Sequence, residues 1–291
     1  MYNAKAMIWI NKRNKHYRKK AHRIINHFIH NAWSVSDQRY IGLTFDDLKK
    51  VKKFKSLLFN EQHGYCCYCM RKLDLSKSHL STIEHILPHK IKITDYNDIA
   101  FYYSYIPFFH KYVKVLSPKS IKGKLKNGRP YPHFCAYENL VLSCSGAIFK
   151  SNFPENEYPS KLHECCNNRR GNKLILPFFY LKQPMLCYEK DGCITYDDNN
   201  ILLKDTIDTL NLDGNENLRT IRRIWGNIFN LYSVHDVQEA GTNKQLREEI
   251  LQDTDLDHNL AKRFFNPLYW QLVIEYEWFY SYFNFSYTDD I

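Results

Sequence analysis

The sequence predicts an α+β fold in which an irregular, cysteine-bearing core sits between two mainly helical segments. Three observations carry this reading. Apolar stripes at helical spacing occupy both ends of the chain. Short β-like runs broken by Cys, Gly and Pro fill the middle. Charge divides along the same lines: residues 1–60 carry a net +11, residues 61–183 a net +9, and residues 184–291 a net −10. The 291-residue chain is long enough to bury a substantial core, and its 22 Tyr and 18 Phe supply large rings for it.

Residues 1–60 read as a basic helical segment. A tract of nine residues from Lys12 to Lys20 is followed by Ile24, Ile25, Phe28 and Ile29, an apolar stripe with a cationic opposite face. A second helix is expected from Thr44, with Phe45, Leu48, Val51, Phe54, Leu57 and Leu58 as its stripe. Thr44 suits the N-cap, and Asp46 and Asp47 suit the first turn. Residues 61–183 form the core with basic loop insertions: residues 95–113 are rich in Tyr and Phe, 117–133 form a basic Pro/Gly loop, and 151–160 carry two prolines. Residues 184–291 are acidic and aromatic. Residues 185–196 read as a β-hairpin turning at Asp191-Gly192, and helical patterns follow. The last, from Asn266 to Phe285, offers Trp270, Tyr276, Trp278 and Tyr280 either to its own core or to a protein partner.

Several classes are disfavoured. Glu275 and Glu277 fall near the middle of the longest aromatic stretch, which argues against a membrane span. An apolar run that precedes its basic tract is the wrong order for a signal peptide. The expected compartment is therefore the cytoplasm, where nine cysteines argue for metal ligation or buried thiols over disulfides. The basic first two-thirds suit a polyanion such as nucleic acid.

Four pieces carry chemistry. Cys66 and Cys69 have the C-x-x-C spacing of a zinc knuckle; the redox alternative would need a βαβ context that this stretch lacks. Glu84-His85, followed by Pro88, places a carboxylate for a hard cation beside an imidazole that can take a proton. Ser81 to Glu84 also has helix capping-box spacing, but Pro88 follows too soon for a helix. Asn139-Leu140 precedes an apolar run ending at Cys144, where an Asn commonly makes a turn. Cys165-Cys166-Asn167-Asn168-Arg169-Arg170-Gly171 suits the first turns of a helix facing an anion and a metal. His89, His133 and His163 read as phosphate contacts or surface residues rather than ligands.

Taken in order, C-x-x-C, acid-His-x-x-Pro, Asn-Leu, Cys and Cys-Asn-x-x-Arg-Gly resemble the HNH endonuclease family over about residues 61–177. The resemblance implies a ββα-metal core stapled by a structural Zn²⁺. It implies Glu84 as the acidic ligand of a catalytic Mg²⁺ or Mn²⁺, at a place where the family more often has Asp. It implies His85 as general base, Asn139 as the residue holding the loop between the two strands, and Asn167 as the last metal ligand. Cys66, Cys69, Cys144 and Cys166 match the zinc tetrad, and Arg169, Arg170 and Lys173 fall where nucleic acid would be contacted. The family usually keeps the last two cysteines close together; here an insertion separates them. That leaves Cys165 open against Cys166 and Asn168 open against Asn167, with Cys166 keeping the Cys-Asn-x-x-basic-Gly phase. Cys67 is an alternative to Cys66, but only Cys66 leaves two residues before Cys69.

The run from Gly64 to Lys173, the hairpin, and then Ile207-Asp208-Thr209-Leu210-Asn211-Leu212 with Leu218 and Arg222 look like the HNH subunits of Septu-type and retron-associated anti-phage systems. That resemblance implies an ATPase partner and a nuclease effector role, with DNA expected ahead of RNA. Two other classes stand beside it: a zinc-stapled nucleic-acid-binding module without catalysis, and a structural partner of an ATPase.

Overall fold

A computed structural model describes residues 9–77, 80–91, 96–146 and 164–287. His163 and residues 151–160 lie outside the described residues. The architecture is α+β, with short two-stranded sheets set among helices. The first helix, α1 (Lys15–Asn31), is capped by the Asn14 side chain, which accepts from the His16 and Tyr17 N–H groups. Its inner face is Ala21, His22, Ile25 and Ile29. Lys12, read as part of the open cationic tract, is instead buried. Its Nζ lies 2.6 Å from Glu61 Oε2, and the Tyr137 hydroxyl donates to the same carboxylate. Burial lowers the Lys12 pKa, and the Glu61 charge opposes that shift.

A two-residue ladder, β1 (Trp33–Ser34) with β2 (Arg39–Tyr40), leads to α2 (Phe45–Lys49) and α3 (Lys52–Glu61). The sequence pattern predicts one helix here, and Thr44 does cap it, accepting from the Asp47 N–H at 3.2 Å. The chain nevertheless breaks at Val51, whose ψ of 88° is not helical. The break serves two destinations. Phe54, Leu57 and Leu58 enter the core, while Phe45 is aimed at His85, with ring centroids 4.0 Å apart.

The centre is β3 (Thr82–His85). Two short helices, α4 (Tyr96–Tyr105) and α5 (Phe109–Tyr112), and the parallel pair β4 (Val113–Lys114) and β5 (Tyr131–Pro132) separate it from its partner β6 (Leu140–Ser143). The two strands pair antiparallel, with Thr82 opposite Ser143 and His85 opposite Leu140. All four β6 residues are buried, as expected of a strand covered on both faces. One covering element is α3, whose following residue Gln62 exchanges two hydrogen bonds with the Leu142 backbone, at 2.7 and 2.8 Å. The short helix α6 (Cys166–Arg170) follows.

The predicted hairpin is present as β7 (Leu186–Tyr188) and β8 (Ile194–Tyr196). Gly192 at its turn has φ +88°, and a Cβ there would lie 2.1 Å from the Arg219 carbonyl oxygen, so only glycine fits. Helices α7 (Ile201–Leu210), α8 (Glu216–Ile228), α9 (Val234–Glu239), α10 (Lys244–Gln252) and α11 (His258–Phe264) complete the C-terminal region with α12 (Pro267–Glu275) and α13 (Trp278–Tyr287). The predicted helix from Asn266 to Phe285 is therefore two helices. The turn between them lets Glu275 and Glu277 pair with Arg71 and Lys72 at 2.6 and 2.7 Å. Trp270 and Tyr276 are fully buried, so both are core residues rather than partner anchors; Trp278 and Tyr280 are half-buried. Among the described residues no helix is long and apolar enough to cross a membrane. Buried side chains from Ile10 to Phe283 form one continuous core.

Candidate active site and metal centre

The Sγ atoms of Cys66, Cys69, Cys144 and Cys166 all lie within 4.8 Å of one another, and all four residues are buried. Three segments deliver them. The turn after α3 presents Cys66 and Cys69, the end of β6 presents Cys144, and the first residue of α6 presents Cys166. The Cys144 N–H points at Cys66 Sγ at 3.3 Å. Neighbouring thiols hold Cys144 down at about 5, and they do the same to Cys66 against the upward push of burial. Burial pushes the Cys69 and Cys166 thiols well up instead, so the fit rests on geometry: four thiols converging on a gap of tetrahedral size are what a metal such as zinc requires. Cys67 is buried but lies outside the set. Cys165 also lies outside it, although its thiol is close enough to Cys144 and Cys166 to hydrogen-bond with them.

Two backbone features permit this convergence. Cys166 has φ +53°, in the left-handed region, at a local cost of roughly 1–2 kcal/mol. Gly146 has φ +79°, and a Cβ there would lie 1.6 Å from the Cys165 carbonyl oxygen. Beyond the cluster, the Tyr276 hydroxyl donates to Cys69 Sγ at 3.4 Å from the turn between α12 and α13. The Asn211 side chain, in the Leu-Asn-Leu segment, donates to the Glu164 carbonyl at 2.9 Å, just before Cys165. Arg222 is also structural: it donates to the Gly192 and Leu212 carbonyls and to Asp213.

Glu84 and His85 end β3, so Glu84 is in a strand and not in a capping box. The fully buried Asn139 joins the two sides of the site. Its Oδ1 accepts from the Leu87 N–H at 2.6 Å, and its Nδ2 donates to the Leu87 and His133 carbonyls at 3.1 and 2.8 Å. It thereby fixes the turn that follows His85 against the approach to β6. His85 is 8 % exposed, and its Nε2 lies 3.1 Å from the Phe134 carbonyl oxygen. A carbonyl can only accept, so Nε2 carries the proton and Nδ1 keeps its lone pair. Burial lowers the His85 pKa well below the usual imidazole value, and His89 and His133 lower it further, against the Phe134 carbonyl. The ring is therefore neutral at physiological pH and can accept a proton at Nδ1.

Glu84 is also 8 % exposed, and among the described residues nothing hydrogen-bonds to its carboxylate. Burial raises its pKa to about 8, with Arg170 opposing and Cys66 assisting. A desolvated carboxylate without a protein donor is costly and suits a hard divalent cation. Asn167, on α6, is half-buried, and Asn168 is exposed. No family model, curated protein or solved structure matches this chain.

Arg170 departs from its expected role in contacting nucleic acid. Its guanidinium is buried, donating to the His85 and Ile86 carbonyls, to the Tyr68 hydroxyl and to the Lys173 carbonyl. All its donors are thus turned inward, and it holds α6 against the end of β3 instead of facing a phosphate. Arg169 and the Lys173 side chain are exposed, as a role in nucleic-acid contact requires. His133 is neither a surface residue nor a phosphate contact: it is buried, its Nδ1 accepts from the Leu116 N–H, and its Nε2 donates to the His89 carbonyl. His89 is half-buried and stacks on His85 with centroids 5.3 Å apart. Two contributors carry no sequence signal for this role. The Phe134 carbonyl is backbone, and Phe45 reads only as one more member of a helical stripe.

Proposed function

We propose that the protein is a metal-dependent HNH-type nuclease. The single observation that carries this reading is the state of His85: a buried, neutral imidazole whose Nε2–H is tied to the Phe134 carbonyl, leaving Nδ1 as a base next in sequence to a carboxylate without a donor among the described residues. His133, by contrast, has both ring nitrogens engaged and keeps no lone pair free for a proton. In this reading His85 Nδ1 takes a proton from the attacking water. Asn139 keeps the His85 turn fixed, and Arg170 holds the His85 and Ile86 carbonyls so that the strand end cannot drift. Glu84 and Asn167 would hold a divalent cation, Mg²⁺ or Mn²⁺, which would supply charge relief at the scissile phosphate. Arg169 and Lys173, both exposed, would contact flanking phosphates. The four-cysteine cluster would hold structural Zn²⁺, whose ligation would offset the local cost of the Cys166 conformation.

The wider role, an anti-phage effector working with an ATPase, rests on the resemblance that includes residues 207–212. In that role the acidic C-terminal third is the partner-facing portion. The test is incubation of the purified protein, alone and with its genomic neighbour, with plasmid, single-stranded DNA and tRNA in Mg²⁺. Divalent-dependent cleavage that is lost in His85→Ala supports the nuclease. Binding without cleavage in every combination leaves only the zinc-stapled binding module.

A further inference from the structure

Helices α1 and α3 do not close on each other along their whole length. Between them runs an open groove of about 860 Å³. Lys20 and Arg23 line it from α1, Lys52 and Lys53 from the first turn of α3, and all four are exposed. The floor is apolar and includes the half-buried Ile24 and Phe28. No acidic side chain lines it among the described residues. The groove's α3 wall begins just after α2, which carries Phe45. Three residues before Lys52, the Lys49 ammonium lies 4.4 Å above the Phe45 ring, and that ring packs on His85.

We propose that this groove binds a single strand of nucleic acid, with phosphates on the four cations and bases over the Ile24 and Phe28 floor. Charge selects a polyanion. The apolar floor selects one whose bases are unpaired, because a duplex hides its base faces and presents only phosphates to such a surface. An acidic segment without aromatic residues, such as polyglutamate, would satisfy the cations but has no flat apolar face for the floor. The proposal deepens the nuclease reading and rests on it for the class of ligand. Binding and cleavage are nevertheless separable.

Binding is measured in His85→Ala protein without divalent cation, using a labelled oligothymidylate of about 20 nucleotides. Lys20→Gln, Arg23→Gln, Lys52→Gln and Lys53→Gln combined weaken it at least about tenfold at low salt, and lower the salt slope by about 0.7 for each phosphate that is no longer neutralised. Phe28→Leu, which keeps an apolar side chain on the floor but removes the ring, weakens it roughly tenfold. A matched set of exposed lysines elsewhere, Lys182, Lys204, Lys244 and Lys262 changed to Gln, leaves binding within a few-fold of its starting value. Equal weakening by both sets would reduce the effect to net charge and overturn the proposal. So would tighter binding of a duplex of the same length, or displacement of the oligonucleotide by polyglutamate at equal charge. Cleavage of a dinucleotide by the groove variant with His85 intact reports the catalytic reading independently. A failed groove leaves that reaction in place, and a failed nuclease leaves the binding comparison valid.

Discussion

Arg170 donates to the main-chain carbonyl of His85 from a position inside the protein, although it lies in a stretch whose sequence looks built to face phosphate. The guanidinium spans α6 and the end of β3, so its removal leaves two buried carbonyls without donors. Arg170→Met is expected to cost about 2–4 kcal/mol in urea unfolding, and Arg170→Lys nearly as much, because a single ammonium cannot reproduce the fork. Wild-type stability in Arg170→Lys with weakened nucleic-acid binding would restore the phosphate role.

His85→Ala is expected to lower cleavage about 10²–10⁴-fold while keeping the fold and the bound zinc, at a stability cost of about 1–3 kcal/mol for the Phe134 carbonyl left without its donor. His89→Ala is expected to have a smaller effect, since that ring stacks on the base and lowers its pKa but takes no proton itself. The comparison to make is initial rate at saturating Mg²⁺. Full activity in a folded His85→Ala protein would eliminate His85 as the base.

Elemental analysis of the folded protein is expected to give about one zinc per chain. Cys69→Ser and Cys166→Ser should lose both the metal and the fold, whereas Cys165→Ser should keep both, because its thiol lies outside the four. Gly146→Ala should behave like a ligand mutant, since its added carbon meets the Cys165 carbonyl. Zinc absent from Cys165→Ser but retained in Cys166→Ser would exchange the two assignments.

The raised Glu84 pKa gives a signed pH dependence. In protein without divalent cation the carboxyl titrates near 8 when folded, against 4.5 when unfolded. The folded state therefore holds an extra proton between these values. The stability associated with it is fully present below pH 4.5 and is lost as pH rises through 8. Apparent affinity for Mg²⁺ should rise over the same interval, because only the carboxylate binds. Thermal melts with and without Mg²⁺ from about pH 5 to about pH 9 measure both trends. Glu84→Gln should flatten them, and an unchanged slope in that variant would assign the titration elsewhere.

Much of this was legible in the residues. The C-x-x-C spacing and the phase around Asn167 pick out the four cysteines that converge, and Asp191-Gly192 locates the hairpin. What escaped was tertiary. The stripe from Phe45 to Leu58 is continuous in sequence, but the chain breaks it to send Phe45 to His85. A basic pair such as Arg169-Arg170 reads as one cationic feature, although one member is exposed and the other buried. Backbone carbonyls such as that of Phe134 leave no trace in side-chain identity, and neither does the hydroxyl that reaches Cys69 from Tyr276.

That last contact has a bearing on how the chain is made. A ribosome releases Cys66, Cys69, Cys144 and Cys166 well before Tyr276, which follows Cys166 by about a hundred residues, or roughly ten seconds of synthesis. During that interval the four thiols can gather an ion while one side of the cluster is still uncovered. Once the turn between α12 and α13 docks, with Glu275 on Arg71 and Tyr276 over Cys69, that side is closed. A metal at this cluster would therefore load more readily in the nascent chain, and its exchange in the finished protein would require the docked turn to move off Cys69.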